Sequence, residues 1–250
     1  MTRRHYPPNV RKVFLIFFMA RSGSTWLTDL CVKTGRLGYP AELFNLTRMR
    51  KIENLDIAHH ARKMLRKQVR GGVFGTELSW GDIRELFDGG STLGEHFPNA
   101  RTIFLIREDI VLQAVSTLRR VQTQIGNSLE PTAGDVSAED RFQYDGTFIK
   151  KAVRTRFRNE QRFEEMFAAQ GYSPMRMSYE RNMANPLGAL NAIADLIEEP
   201  RFDSAAESDF TILRTDKSAQ FAARFRAEEP RFVERIGNQR RALIDKLADY

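Results

Sequence analysis

The residues best suited to chemistry in this sequence are five in a row, Arg21-Ser22-Gly23-Ser24-Thr25. Gly23 lets a backbone approach a ligand closely, and Ser22, Ser24 and Thr25 add hydroxyl donors. Arg21 supplies a planar, permanently charged fork. If a helix begins here, its first N–H groups lack intrahelical partners and carry a partial positive charge. Together these groups form a cradle for a phosphate-like anion. A simple helix cap needs only one such residue, so this run exceeds capping.

The phosphate loop of nucleoside triphosphatases needs G-x-x-x-x-G-K-[ST], whose lysine reaches the terminal phosphates. The present loop is shorter and has no such lysine. A terminal group less charged than phosphate, such as sulfuryl, fits it better. A nucleotide kinase is the alternative.

Arg107 and Ser116 form a second candidate anion site. Arg107 follows an apolar run and Ser116 lies in the helix after it. Alone they could be a solvated arginine and a neutral helix residue. With the first loop they suit a ligand with anionic groups at both ends. Glu42 sits in the turn Tyr39-Pro40-Ala41-Glu42-Leu43-Phe44, whose apolar flanks can desolvate it. That makes it a candidate general base, against the plain reading of a surface loop residue.

No metal motif is present. His59 and His60 are adjacent, diverge on a helix, and read as solvated surface. The single cysteine, Cys31, excludes an internal disulfide, fits a reducing compartment and reads as core packing.

Elements positioning these residues follow from the hydrophobic pattern. Lys12–Met19 is a continuous apolar run, as in a strand covered on both faces. Thr25–Thr34 has helical spacing and ends at Gly35. Strands are expected at Gly72–Leu78, Arg101–Ile106 and Met175–Tyr179. Helices are expected near Asp82–Phe87, over 110–121, over Thr147–Ala169, after Pro186, and from Lys217 with a break at Pro230. Residues 126–145 are turn-rich and read as a mobile loop. Alternating strands and helices predict an α/β fold, a central parallel sheet flanked by helices, with a helical C-terminal part. In such sheets ligands bind beyond the carboxyl ends of the strands, where Arg21 and Arg107 both fall. The 250 residues, 42% hydrophobic and 28% charged, suit one domain over 1–250, with 1–11 as a flexible N-terminal arm.

The net charge of +7 favours an anionic partner. The basic residues are spread out, with clusters at 62–70 and 150–162, and lack the dense basic stripe with exposed aromatics of a nucleic-acid binder. No nucleic acid is expected as partner, although a non-catalytic anion- or nucleic-acid-binding protein remains the different-class alternative. The eight apolar residues of 13–20 are too short to span a bilayer, so no transmembrane segment and a cytoplasmic location are expected.

Ala20-Arg21-Ser22-Gly23-Ser24-Thr25-Trp26-Leu27 resembles the 5′-phosphosulfate loop of sulfotransferases, in the variant of the bacterial trehalose sulfotransferase family. That family's Gly-x-Pro-x-Glu-x-Phe is matched by Gly38-Tyr39-Pro40-Ala41-Glu42-Leu43-Phe44. Further matches, in order, are Arg107-Glu108-Asp109, Gln113-Ala114-Val115-Ser116, Tyr144-Asp145, Ser178-Tyr179-Glu180, Leu213-Arg214 and Ala223–Glu228. The resemblance implies a P-loop-like sulfotransferase fold and 3′-phosphoadenosine 5′-phosphosulfate as co-substrate, without a metal. It implies that Arg21 to Thr25 hold the 5′-phosphosulfate, and Arg107 with Ser116 the 3′-phosphate. Trp26 and Tyr179 would lie near adenine, Trp26 being equally suited to core packing. Glu42 would be the base and Arg21 the stabilising charge. The implied acceptor is a hydroxyl of a small-molecule carbohydrate or a glycolipid, and relatives form homodimers. Three positions depart from the family: Ala20 replaces a proline, position 39 is Tyr, and Gly75-Thr76-Glu77 stands where Gly-x-Lys is commoner. The last two weigh against trehalose itself.

Overall fold

The computed structural model describes residues 6–125, 140–210 and 215–250. Four strands form one parallel sheet: β1 (Lys12–Phe18), β2 (Val73–Ser79), β3 (Arg101–Ile106) and β4 (Met175–Ser178), in the order β2-β1-β3-β4. Around it, in chain order, are α1 (Ser24–Lys33), α2 (Leu46–Met49), α3 (Ile57–Lys67), α4 (Trp80–Leu86), α5 (Leu93–His96) and α6 (Ile110–Thr123). Then come α7 (Gly146–Gln170), α8 (Tyr179–Ala184), α9 (Pro186–Leu196), α10 (Asp216–Glu228) and α11 (Pro230–Ile244).

The apolar run of β1 is continuous because both its faces are covered. Val13, Leu15 and Phe17 pack in one core with Phe163 and Phe167 of α7. Phe14, Ile16 and Phe18 pack in the other with Leu27 and Leu30 of α1 and Leu190 and Ile193 of α9. Cys31 is fully buried in that second core, as its neighbours suggested. A third cluster joins α6, α7, α10 and α11 through Val115, Ile149, Phe225 and Phe232. Among the described residues no helix is long and apolar enough to cross a membrane.

Several expectations change in detail. The fourth strand stops at Ser178, whose hydroxyl caps α8, so Tyr179 begins a helix. The part of the N-terminal arm that is described is docked: Tyr6 donates its hydroxyl to the Pro98 carbonyl at 2.6 Å, and Val10 is buried. His60 is not solvated surface. Its Nε2 lies 3.2 Å from the Leu43 carbonyl and its ring meets Phe44 edge-on. Residues 126–139 of the expected loop, and the Leu213-Arg214 pair, lie outside the described residues.

Candidate active site

The carboxyl ends of all four strands feed one cleft of about 350 Å³. Its walls include Arg21, Gly23, Ser24, Thr25 and Trp26 after β1, Ser79 at the end of β2, Arg107 after β3, and Tyr179 after β4. Glu42 from the turn before α2 lines the same cleft, as does Ser116 of α6. Every residue singled out for ligand chemistry therefore meets here except Ser22, which lies buried beneath the loop.

The loop owes its shape to two left-handed residues, Arg21 at φ +70° and Gly23 at φ +79°. A non-glycine residue there is strained and persists only when its surroundings fix it. Three contacts do so. Gln113 Nε2 donates to the Ala20 carbonyl at 3.0 Å, Arg107 Nη1 to the Arg21 carbonyl at 3.4 Å, and Arg21 Nε to Ser116 Oγ at 2.9 Å. Gly23 must be glycine for a second reason. A Cβ there would sit 2.3 Å from the Tyr179 ring.

Gly23 is also the N-cap of α1, which has no side-chain cap. The positive end of that helix therefore faces the cleft, with no acidic residue in its own first turn. The buried Ser22 Oγ has no hydrogen-bond partner. A buried polar atom left unpaired is costly, and an incoming acceptor would satisfy it.

Four arginines surround this end of α1: Arg21, Arg107, Arg119 and Arg120. Burial, reinforced by the charges of Arg120, Arg107 and Arg119, pulls the proton affinity of Arg21 down to about 10. Arg156 of α7, buried behind them, is lowered to about 10 as well, by burial and by Arg107 and Arg21. Like charges held this close favour an anion between them. Arg119 and Arg120 escaped the sequence reading. The available signal was their spacing, three and four residues after Ser116, which puts them on its face of α6.

Arg107 is buried at 8% exposure and is not a solvated residue. Its guanidinium lies 4.7 Å from the centre of the Tyr179 ring, and its Nε is 3.5 Å from Glu180. Glu180 also accepts from the Glu108 N–H at 2.8 Å, and Arg226 pairs with Asp109 at 2.7 Å. Arg240 of α11 donates to the carbonyls of Arg107 and Glu108, both at 2.7 Å, and pairs with buried Glu160 at 2.8 Å. Sequence reasoning missed Arg240, because nothing local to it points at the loop 133 residues away.

On the opposite wall, the Glu42 carboxylate accepts from Asn45 Nδ2 at 2.6 Å and is partly exposed. Its turn is fastened to β2, since the Ala41 carbonyl accepts from the Glu77 N–H and from Thr76 Oγ1, each at 3.0 Å. Asp82, an alternative acid nearby, is committed to capping α4, and it also accepts from the Leu46 N–H at 2.8 Å. Trp26 lines the cleft with part of its ring and packs on the second core with the rest. No group of three or more metal-ligating side chains occurs among the described residues.

Residues 13–228 match the family model described as Stf0 sulphotransferase. Among solved structures the chain is similar to the crystal structure of a sulfotransferase from Alicyclobacillus acidocaldarius. The identity is 17% and the TM-score 0.49, over 87% of this chain and 95% of that one. The comparison with curated proteins finds no match.

Proposed function

We propose that this chain, which belongs to the Stf0 sulphotransferase family, uses its cleft to move a sulfuryl group from 3′-phosphoadenosine 5′-phosphosulfate to a hydroxyl of a carbohydrate or glycolipid acceptor. One observation carries the reading. Four arginines and an uncapped helix end converge on a cleft beside the orphaned hydroxyl of Ser22. A nucleotide with anionic groups at both its 3′ and 5′ positions fits that donor set. A Lys-containing nucleoside triphosphate loop is absent from positions 19–25, which weighs against a kinase.

In this reading Ser22, Ser24, Thr25 and the first N–H groups of α1 hold the 5′-phosphosulfate. Arg107 and Ser116 hold the 3′-phosphate, with Arg119 and Arg120 adding charge. The donor supplies an activated sulfuryl group with a good phosphate leaving group. Arg21 and the helix end stabilise charge on the equatorial and leaving oxygens, so the protein contributes mainly position and field. Glu42 accepts the acceptor's hydroxyl proton, and Asn45 holds its carboxylate in place. Tyr179 and Trp26 flank the adenine.

Thermal unfolding with nucleotides tests the donor assignment. Adenosine 3′,5′-bisphosphate is expected to raise the melting temperature well above the shift from 5′-AMP, because ligands that bind only the native state stabilise it. Equal shifts from both nucleotides would overturn the 3′-phosphate site. Transfer of labelled sulfate from the donor to extracted carbohydrates and glycolipids then identifies the acceptor.

A further inference from the structure

Beneath the anion loop lies a carboxyl group that the proposed transfer does not use. Glu77, near the end of β2, is 2% exposed. Its Oε1 lies 2.5 Å from Thr28 Oγ1, and the same Oγ1 is 2.9 Å from the Pro40 carbonyl. Ser24, in the loop itself, interacts with the same carboxyl group. Two hydrogen-bond contacts thus run from Glu77, through Thr28 of α1, to the turn that carries Glu42, with Ser24 of the loop beside the same carboxyl group.

Counting protons decides the state of Glu77. A carboxylate and a carbonyl only accept, and each hydroxyl brings one proton. With Glu77 ionised, Thr28 supplies one proton for its two contacts. One contact would then be two acceptors facing each other in a buried site, which is costly. With Glu77 protonated, two protons serve both contacts. Thr28 then donates to Pro40 while Glu77 donates to a hydroxyl.

We infer that Glu77 is a neutral carboxylic acid in the native protein and acts as a positioning residue, tying the anion loop to the turn of the general base. Burial agrees with this, raising its proton affinity to about 8, with the Glu42 charge acting in the same direction. The titratable groups that interact with it are Glu42 from the turn and Cys31 from α1. The Cys31 thiol is itself pushed up by burial, so it stays uncharged.

The functional half of this inference rests on the donor reading above. An anion bound at Ser24 favours the neutral form of Glu77. Ionising Glu77 puts a negative charge under that anion and leaves Thr28 with two acceptors to serve. Donor affinity therefore falls as pH rises through the ionisation of Glu77. The Arg21 guanidinium keeps its charge across this range, so pH 7 to 9 isolates the effect.

The test is calorimetric titration of adenosine 3′,5′-bisphosphate into the parent and Glu77→Gln at pH 7 and pH 9. Gln keeps the acceptor oxygen and places an amide donor where the acid has its O–H, with one N–H more than the acid brings. The parent's affinity is expected to fall between the two pH values by up to about tenfold, the most that one proton released near pH 8 can give over that interval. Glu77→Gln is expected to bind within a few-fold of the parent at pH 7 and to show no fall. A pH-independent parent, or a Gln variant with the same fall, overturns the coupling. A parent that binds the nucleotide at neither pH refutes the donor reading instead, and Glu77 is then judged by stability alone. Its raised native pKa means the native state holds a proton that the unfolded chain releases near 4.5. Parent stability in urea should therefore fall as pH rises from about 4.5 to about 8, and Glu77→Gln should lose that slope. Identical slopes would show that Glu77 is ionised in the native state.

Discussion

Arg21 and Ser116, 95 positions apart, share a hydrogen bond in which Arg21 Nε donates to Ser116 Oγ at 2.9 Å. The loop after β1 and the helix after β3 are therefore one wall of one cleft. Arg107 closes the same wall by donating to the Arg21 carbonyl. A ligand that touches Ser116 adjusts Arg21 as well, so the two proposed anion subsites should not be independent.

Arg107→Ala is expected to weaken adenosine 3′,5′-bisphosphate by roughly 2–4 kcal/mol, the loss of a charge-assisted contact plus a partner left unpaired. The variant also frees Glu180 and the Arg21 carbonyl, so loop order should suffer. The effect should appear mainly in donor KM. An unchanged donor KM with reduced kcat would remove Arg107 from the binding role.

Gly23→Ala should be poorly tolerated for two separable reasons. The left-handed conformation costs an L-residue about 1–2 kcal/mol. The new methyl group also meets the Tyr179 ring. For a chain of this size the strain alone corresponds to a fall in melting temperature of about 2–8 °C. Pairing it with Tyr179→Ala should recover only the steric share. Full recovery in the double variant would mean that φ at this position costs nothing.

Arg240 offers a test of support from behind the site. Arg240→Met leaves Glu160 buried without its partner, which should destabilise the protein by about 3–5 kcal/mol. Adding Glu160→Leu should restore much of that stability, since an apolar pair of similar size removes the uncompensated charge. Donor affinity should stay lower by about 1–3 kcal/mol in the double variant, because the carbonyls of Arg107 and Glu108 have still lost their donors. If affinity recovers together with stability, Arg240 is a stabilising residue only.

How much of this was legible in the sequence depends on the reach of each signal. β1 and β3 were legible because strands buried on both faces give unbroken apolar runs. The strand–loop–helix unit around residues 21–25 was legible because its residues are contiguous. α3 was not assigned, although Ile57, Ala61, Met64 and Leu65 recur at helical spacing and share one core. The convergence of Glu180 on Glu108 and of Arg226 on Asp109 depends on tertiary packing, and residue order alone does not disclose it. Glu77 stood out in the sequence only as a departure from the family's Gly-x-Lys. Its role emerges only when Ser24, Thr28 and Pro40 are placed around it.

Glu42→Gln addresses the acid on which turnover depends in the proposed reaction. Gln preserves volume and can still meet Asn45 through its amide oxygen, so the turn before α2 should hold its shape. It cannot accept a proton from an attacking hydroxyl. If Glu42 is the base, kcat should fall by about 10²–10⁴ towards the true acceptor. Donor affinity should be unchanged or slightly tighter, because the carboxylate lines a cleft built for anions and its charge only opposes them. Comparing it with Glu77→Gln separates the two carboxyl groups. Loss of turnover at constant donor affinity belongs to Glu42, whereas loss of the alkaline fall in donor affinity belongs to Glu77. A Glu42→Gln enzyme with near-normal kcat would transfer the base assignment elsewhere. Asp82 is an unsuitable successor, since its oxygens already accept from Ser79 and Leu46.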